Sequence, residues 1–165
     1  MDNKENVSKL FKIIDKTKYG MLITYNDKIK ARPMTIANKE GEHQYLYFFS
    51  QFNTQKTEDI LHNPDVLVTF TNNDEHMYAA INGRARLTND KDIMKDHFSK
   101  MHKAFFEEGL DTPGIHLIEV EIRHAECWYS DQNTFMEFFE ILASIPTGKT
   151  ADLGEQFSVE GSQLH

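Results

Sequence analysis

The stretch from His76 to Leu87 alternates with a period of two along its whole length, and this constrains the fold more than any other feature. Met77, Ala79, Ile81, Gly83, Ala85 and Leu87 share one face; His76, Tyr78, Ala80, Asn82, Arg84 and Arg86 share the other. Successive strand residues point to opposite faces, so the pattern predicts a long strand with one face against a core. The small residues Ala79, Gly83 and Ala85 predict that another element crowds that face.

Further strands are expected around it. Tyr19 to Tyr25 is apolar and β-branched, Asn26-Asp27 is a turn, and Lys28 to Ala37 returns. In the returning strand Arg32 shares a face with Met34 and Ile36. Pro33 makes this strand an edge or locally irregular, because proline cannot donate to a ladder. Tyr45 to Ser50, Val66 to Thr71 and Ile115 to Arg123 read as strands, with Ala125 to Tyr129 continuing the last or pairing with it.

Helices are fewer. Val7, Leu10, Phe11 and Ile14 form one helical stripe. Gln55 to Leu61 is a helix entered through Asn53 or Thr54 and stopped by Asn63-Pro64. Asn89 or Asp90 caps a helix carrying Ile93, Met94, Phe98, Met101 and Phe105. After Asp131, a stripe of Phe135, Phe138, Phe139 and Leu142 predicts another, followed by a polar tail. Short strands with irregularly placed helices predict a mostly β, barrel-like core with peripheral helices. The 165 residues suit one domain, with the C-terminal helix and tail at about 132–165.

Charge narrows the function. Lys plus Arg number 18 against 26 Asp plus Glu, a formal charge of −8, and no dense basic block competes for a nucleic-acid backbone. Cys127 is the single cysteine, so no intrachain disulfide forms, which suits a reducing compartment. There is no apolar signal core, and no run approaches the roughly 18 apolar residues of a membrane span. The expectation is a cytoplasmic protein with neither nucleic-acid nor membrane partners.

Dinucleotide, P-loop, zinc and nucleophile-elbow motifs are missing, and the histidines form no cluster in sequence, so neither a metal site nor a catalytic nucleophile is expected. One pattern stands out. Arg32 on a strand, Ser50 at a strand end, and Thr54 with Lys56 at a helix start supply a guanidinium, hydroxyls, an ammonium and free N–H groups. Those are the donors a phosphate needs. The competing reading is that Thr54 only caps, Lys56 is solvated and Arg32 pairs with an acidic neighbour. Trp128 either stacks on a ligand ring or fills a core or subunit seam. Tyr78, Asn82 and Arg84 either border a subunit contact or are ordinary surface.

The order and spacing of several segments resemble the general stress protein 26-like branch of the pyridoxamine 5′-phosphate oxidase-like, FMN-binding split barrels. They are Tyr19-Gly-Met-Leu-Ile-Thr, Ala31-Arg-Pro-Met34, Leu46-Tyr-Phe-Phe-Ser50, Thr54-Gln-Lys-Thr-Glu-Asp-Ile60, Pro64-Asp-Val-Leu-Val68, Ile81-Asn-Gly-Arg-Ala85 and Ala125-Glu-Cys-Trp-Tyr129, with Thr147 to Glu155 as the family's C-terminal segment. The resemblance implies a split β-barrel of the FMN-binding type and a homodimer with flavin between subunits. It also implies that Arg32, Pro33, Met34 and Thr35 line the flavin, that Phe49, Ser50, Thr54 and Lys56 hold its phosphate, and that Trp128 borders it.

Thr54-Gln-Lys56 stands where the branch has Ser-x-Lys, which keeps the hydroxyl. Asn26-Asp27-Lys28 replaces a glycine-bearing turn. No counterpart of the substrate-binding set of the true pyridoxamine phosphate oxidases is present. The implied function is flavin-dependent oxidoreduction of a small molecule, with a donor such as NAD(P)H. A non-catalytic flavin carrier or sensor, and a haem or deazaflavin F420 binder, are the alternatives.

Overall fold

The structure is a computed structural model that describes residues 3–129 and 155–164. Helix α1 (Asn3–Thr17) precedes a hairpin of β1 (Tyr19–Tyr25) and β2 (Ile29–Thr35). There follow β3 (Tyr45–Gln51), α2 (Gln55–His62), β4 (Asp65–Asn72), β5 (Met77–Thr88), α3 (Lys91–His97), β6 (Ile115–Tyr129) and β7 (Glu155–Glu160). The aromatic helix expected after Asp131 lies outside the described residues. Part of the polar tail pairs into the sheet as β7, a strand its composition did not announce.

All pairings are antiparallel, in the order β2-β1-β4-β5-β6-β3, and β7 lies beside β6. β3 takes Ile115 to Glu121 and β7 takes His124 to Tyr129, so two short strands share one edge of β6. The expected split β-barrel is corrected here. The ladder is open: β2 and β3 end the path and are not paired strands among the described residues.

The physical reason lies between them. The Asn38 side chain donates to the Tyr45 carbonyl at 2.6 Å and accepts from the Tyr47 N–H at 2.8 Å, standing where a neighbouring strand would bond to β3. The Ala37 N–H adds one backbone bond to the Tyr47 carbonyl. On β2, Pro33 supplies no N–H for a ladder.

The period-two reading of β5 holds in the packing, with Met77, Ala79, Ile81 and Ala85 buried against α1 and the inward face of β4. α1 contributes Leu10, Phe11, Ile13 and Ile14 to that core. β3 and β6 are buried on both faces, which explains their near-continuous apolar runs. Leu46, Phe48, Ile118 and Val120 join the α1 core, while Phe49, Leu117 and Ile115 form a second one with Met94 and Phe106.

α3 ends at His97, earlier than the stripe through Phe105 predicts. The Ser99 N–H is taken by the ring Nδ1 of His102 at 3.0 Å instead of a helical carbonyl. A 3-10 turn at His102–Ala104 follows.

Gly83 sits where the β5–β6 register shifts. A Cβ there would meet Val120 Cγ1 at 2.5 Å and the Glu121 carbonyl oxygen at 2.7 Å, the second an immovable backbone atom. Gly83→Ala is therefore expected to destabilise by about 1–3 kcal/mol through overpacking. Urea unfolding checks this, and an unchanged midpoint would contradict it.

Candidate functional site

The ends of β2 and β3 are drawn together by the Ala37–Tyr47 bond, and beside them opens a cavity of about 240 Å³. Pro33, Met34 and Thr35 form one wall; Phe49, Ser50 and Gln51 form another. Thr54 and Lys56 come from the entry to α2, and His102, Phe105 and Phe106 from the segment after α3. Seven residues named from the sequence thus meet at one cavity: Pro33, Met34, Thr35, Phe49, Ser50, Thr54 and Lys56. Apolar surface from Met34 and three phenylalanines faces hydroxyls and one ammonium, and among the described residues no carboxylate lines it.

Lys56 is half-buried and makes no ion pair among the described residues. Burial, and secondarily the Arg32 cation, push its pKa below the ordinary lysine value. Ser50 is buried, yet its hydroxyl has only a marginal 3.4 Å contact with the Gln51 carbonyl. Thr54 is the N-cap residue of α2, and its hydroxyl reaches the Gln51 carbonyl at 3.3 Å. The Thr57 and Glu58 N–H groups both bond the Thr54 carbonyl, so the Gln55 and Lys56 N–H groups precede the first intrahelical acceptor. The donor set is rich in N–H and O–H groups and poor in acceptors.

Arg32 lies next to this cavity but not in its wall. Its Nη1 donates to Thr24 Oγ1 at 2.9 Å and its Nη2 pairs with Asp59 Oδ2 at 3.4 Å. Asp59, 0% exposed, is the hub of a buried cluster. It also accepts from Thr24 Oγ1 at 2.8 Å, Lys30 Nζ at 3.1 Å and Gln55 Nε2 at 3.2 Å. Burial raises the pKa of this carboxyl, but the hydrogen bonds from Thr24, Lys30 and Gln55 outweigh burial and hold it below the ordinary aspartate value. The cluster fixes α2 to the β1–β2 hairpin, and so fixes where Lys56 stands.

Trp128 is not at the cavity of its own chain. It lies on β6 between Tyr78 of β5 and Gln156 of β7, on the face that also carries Met21, Thr69 and Ala80. Sequence reading also missed participants. In the sequence Asp59 is only one residue of the Gln55–Leu61 helix, and its spacing of four from Gln55 is the one signal of a shared face. Phe105 was read as a helical core residue, and His102 carried no motif.

His102 and His116 are buried, and burial pushes both below the ordinary histidine value of 6.5. The neighbouring His97 adds to this for His102; for His116, Lys56 adds to it while the Gly114 carbonyl opposes it. The folded chain thus holds them neutral where the unfolded chain protonates. Their contribution to stability is full above about pH 6.5 and falls as the pH drops from there toward the folded-state values. A lower melting temperature near pH 5.5 than near pH 7.5 is expected, and His102→Phe should reduce that difference. A pH-independent melting temperature over this range would contradict it.

An open antiparallel sheet with a small, donor-rich cavity at the junction of two strand ends and a helix start defines a recognisable class of β protein. The chain belongs to the pyridoxamine 5′-phosphate oxidase-like family, whose sequence pattern spans residues 5–152. Protein bli-3 of Neurospora crassa is 22% identical over 162 residues, covering 92% of this chain and 78% of that protein.

Among solved structures, a Clostridium acetobutylicum protein related to general stress protein 26 superposes with a TM-score of 0.74. It does so at 11% identity over 100% of both chains. The general stress FMN/FAD binding protein of Xanthomonas citri does so at 0.70, with 21% identity over 92% of this chain and 99% of that one. At such identities the structural likeness shows the fold. Among the described residues, no helix is long and apolar enough to cross a membrane.

Proposed function

We propose that the cavity binds FMN and that the chain works as a homodimeric, FMN-dependent oxidoreductase acting on a small molecule. The observation that carries this reading is the half-buried Lys56, which among the described residues makes no ion pair and shares its cavity with hydroxyls and no carboxylate. Such a cation is poorly placed without an anion and well placed with one. Lys56, Ser50, Thr54 and the N–H groups at the start of α2 would hold the phosphate. Pro33, Met34, Thr35 and Phe49 would flank the flat ring. Arg32 adds positive potential from behind Lys56 while Asp59 holds it in place. The flavin, when bound, supplies hydride-transfer chemistry; the protein orients it and keeps water from it.

The dimer is supported by size and surface. About 240 Å³ is less than the roughly 300–1,000 Å³ of most ligand pockets, so a whole FMN needs a further wall. Pro33 and Thr35 belong by register to the sheet face that carries Tyr19, Met21, Tyr25, Ile29 and Trp128, all exposed apolar side chains. A second copy seated there would cover that face, close the cavity and bring Trp128 of one subunit toward the flavin of the other. A flavin carrier or sensor is the second reading, since among the described residues that line the cavity none is a thiol or carboxylate. Anaerobic reduction of the bound flavin by NADPH separates the two.

The direct test is a fluorescence titration with FMN and with riboflavin. FMN is expected to bind at least about tenfold more tightly, the difference being the charge-assisted phosphate contacts. Equal affinities, or no binding of either, would contradict the site.

A further inference from the structure

Among the described residues, His102 is the one ionisable wall residue of the cavity that the phosphate reading leaves unused. Its Nδ1 accepts from the Ser99 backbone N–H at 3.0 Å, and the Ser99 hydroxyl Oγ stands 3.0 Å from the same nitrogen. An N–H donor can only be met by a lone pair, so Nδ1 is the unprotonated nitrogen of the neutral ring and Nε2 carries the hydrogen. The Ser99 N–H sets the tautomer, and packing against Phe49, with centroids 4.8 Å apart, and Phe98, at 5.6 Å, holds the ring's orientation.

His102 is 3% exposed, and its buried Nε2 has no hydrogen-bond partner among the described residues. A buried orphan donor is costly, which makes it unusual in a folded protein unless something supplies the acceptor. His116 has the same orphan Nε2 but faces the Gly114 carbonyl with Nδ1, so in its neutral form Nε2 is a lone pair, and it does not line the cavity. Of the two histidines, only His102 lines the cavity and carries the hydrogen on its orphan Nε2.

We propose that His102 is a ligand-positioning residue whose Nε2–H donates a hydrogen bond to an oxygen acceptor of the molecule bound in the cavity. The ligand class follows: the occupant presents a carbonyl, hydroxyl or phosphate oxygen beside the Phe49 ring. Being neutral, the donor adds direction and not charge, so it selects where an acceptor lies while Lys56 selects for an anion. This inference rests on the FMN reading and specifies one contact within it.

The test compares His102→Leu, which removes the donor, with His102→Gln, whose side-chain amide can place an N–H near the same point. Three measurements are made on each: urea stability without ligand, affinity for FMN, and affinity for riboflavin. His102→Leu is expected to stay close to the wild type in stability, because it deletes an unsatisfied buried donor together with the Ser99 and ring contacts. It is also expected to bind FMN roughly tenfold more weakly, with His102→Gln recovering much of the loss.

A loss shared by riboflavin places the acceptor on the ring or ribityl chain; a loss confined to FMN places it on the phosphate. Equal FMN affinity in wild type and His102→Leu overturns the inference and leaves the FMN reading standing. Failure of the wild type to bind FMN overturns both. Should His102→Leu not fold, nitrogen-15 histidine spectra of the wild type decide. A Nε2–H resonance that shifts downfield on adding FMN supports the contact, and an unmoved one refutes it.

Discussion

Asp59→Ala is expected to lower the free energy of unfolding by about 3 kcal/mol, the largest effect of any single substitution considered. The carboxylate is fully buried and serves Thr24, Lys30, Arg32 and Gln55 at once. Removing one member of a buried ionic cluster leaves the others unmatched in a low-dielectric setting, which commonly costs about 3–5 kcal/mol. The lower end applies because the side chains of Lys30 and Arg32 keep 19% and 20% exposure and can recover some hydration.

Asp59→Asn keeps an acceptor for Thr24 and should cost less. The wild-type contribution has a defined pH window. The folded carboxyl titrates below 3.8, so its contribution is present above that value and is lost as the pH falls through the folded-state pKa. Urea unfolding at neutral pH tests the substitution, and a loss under about 1 kcal/mol would show that the cluster does not anchor α2.

Lys56→Ala is expected to weaken FMN binding by about 1.5–3 kcal/mol, a factor of roughly 10–150, with little loss of stability in the empty protein. The two halves of that expectation have one cause. Lys56 sits half-buried with burial opposing its charge and no ion pair among the described residues, so the folded chain gains little from it. An anion bound beside it would gain much. Arg32→Ala should behave differently, because Arg32 is committed to Thr24 and Asp59, so stability and affinity fall together. Raising the salt concentration should weaken FMN binding in the wild type more than in Lys56→Ala. A Lys56→Ala protein that keeps full FMN affinity would remove Lys56 from the phosphate site.

Much of this architecture was legible in the residues because it is local. The alternation of β5, the turn at Asn26-Asp27, the stop at Asn63-Pro64 and the Asp90 cap are each set by neighbours in sequence. The cap shows directly in the bonds that Asp90 accepts from the Asp92 and Ile93 N–H groups. Pro33 to Thr35 and Phe49 enter the candidate site only through the family resemblance; strand ends and a helix start by themselves leave a phosphate site and a simple Thr54 cap with a solvated Lys56 both open.

What was not legible depends on contacts between distant segments. Whether a sheet closes turns on one side chain such as Asn38 standing in for a strand, and no periodicity reports that. Asp59 gathers partners from β1, β2 and its own helix, so its role emerges only once those elements are packed. His102 gained its fixed tautomer from a break in α3 that the apolar stripe concealed. Arg32 exemplifies both levels: its face was readable from the strand period, while its carboxylate partner 27 positions away was not.

The central claim is that this cavity holds FMN. It is tested most directly by the absorption spectrum of the freshly purified protein, with mass determination of whatever is released on denaturation. The predicted result is a flavin spectrum and a released compound with the mass of FMN, approaching one per chain after saturation. A protein that carries no flavin and whose spectrum and melting temperature are unmoved by added FMN would contradict it.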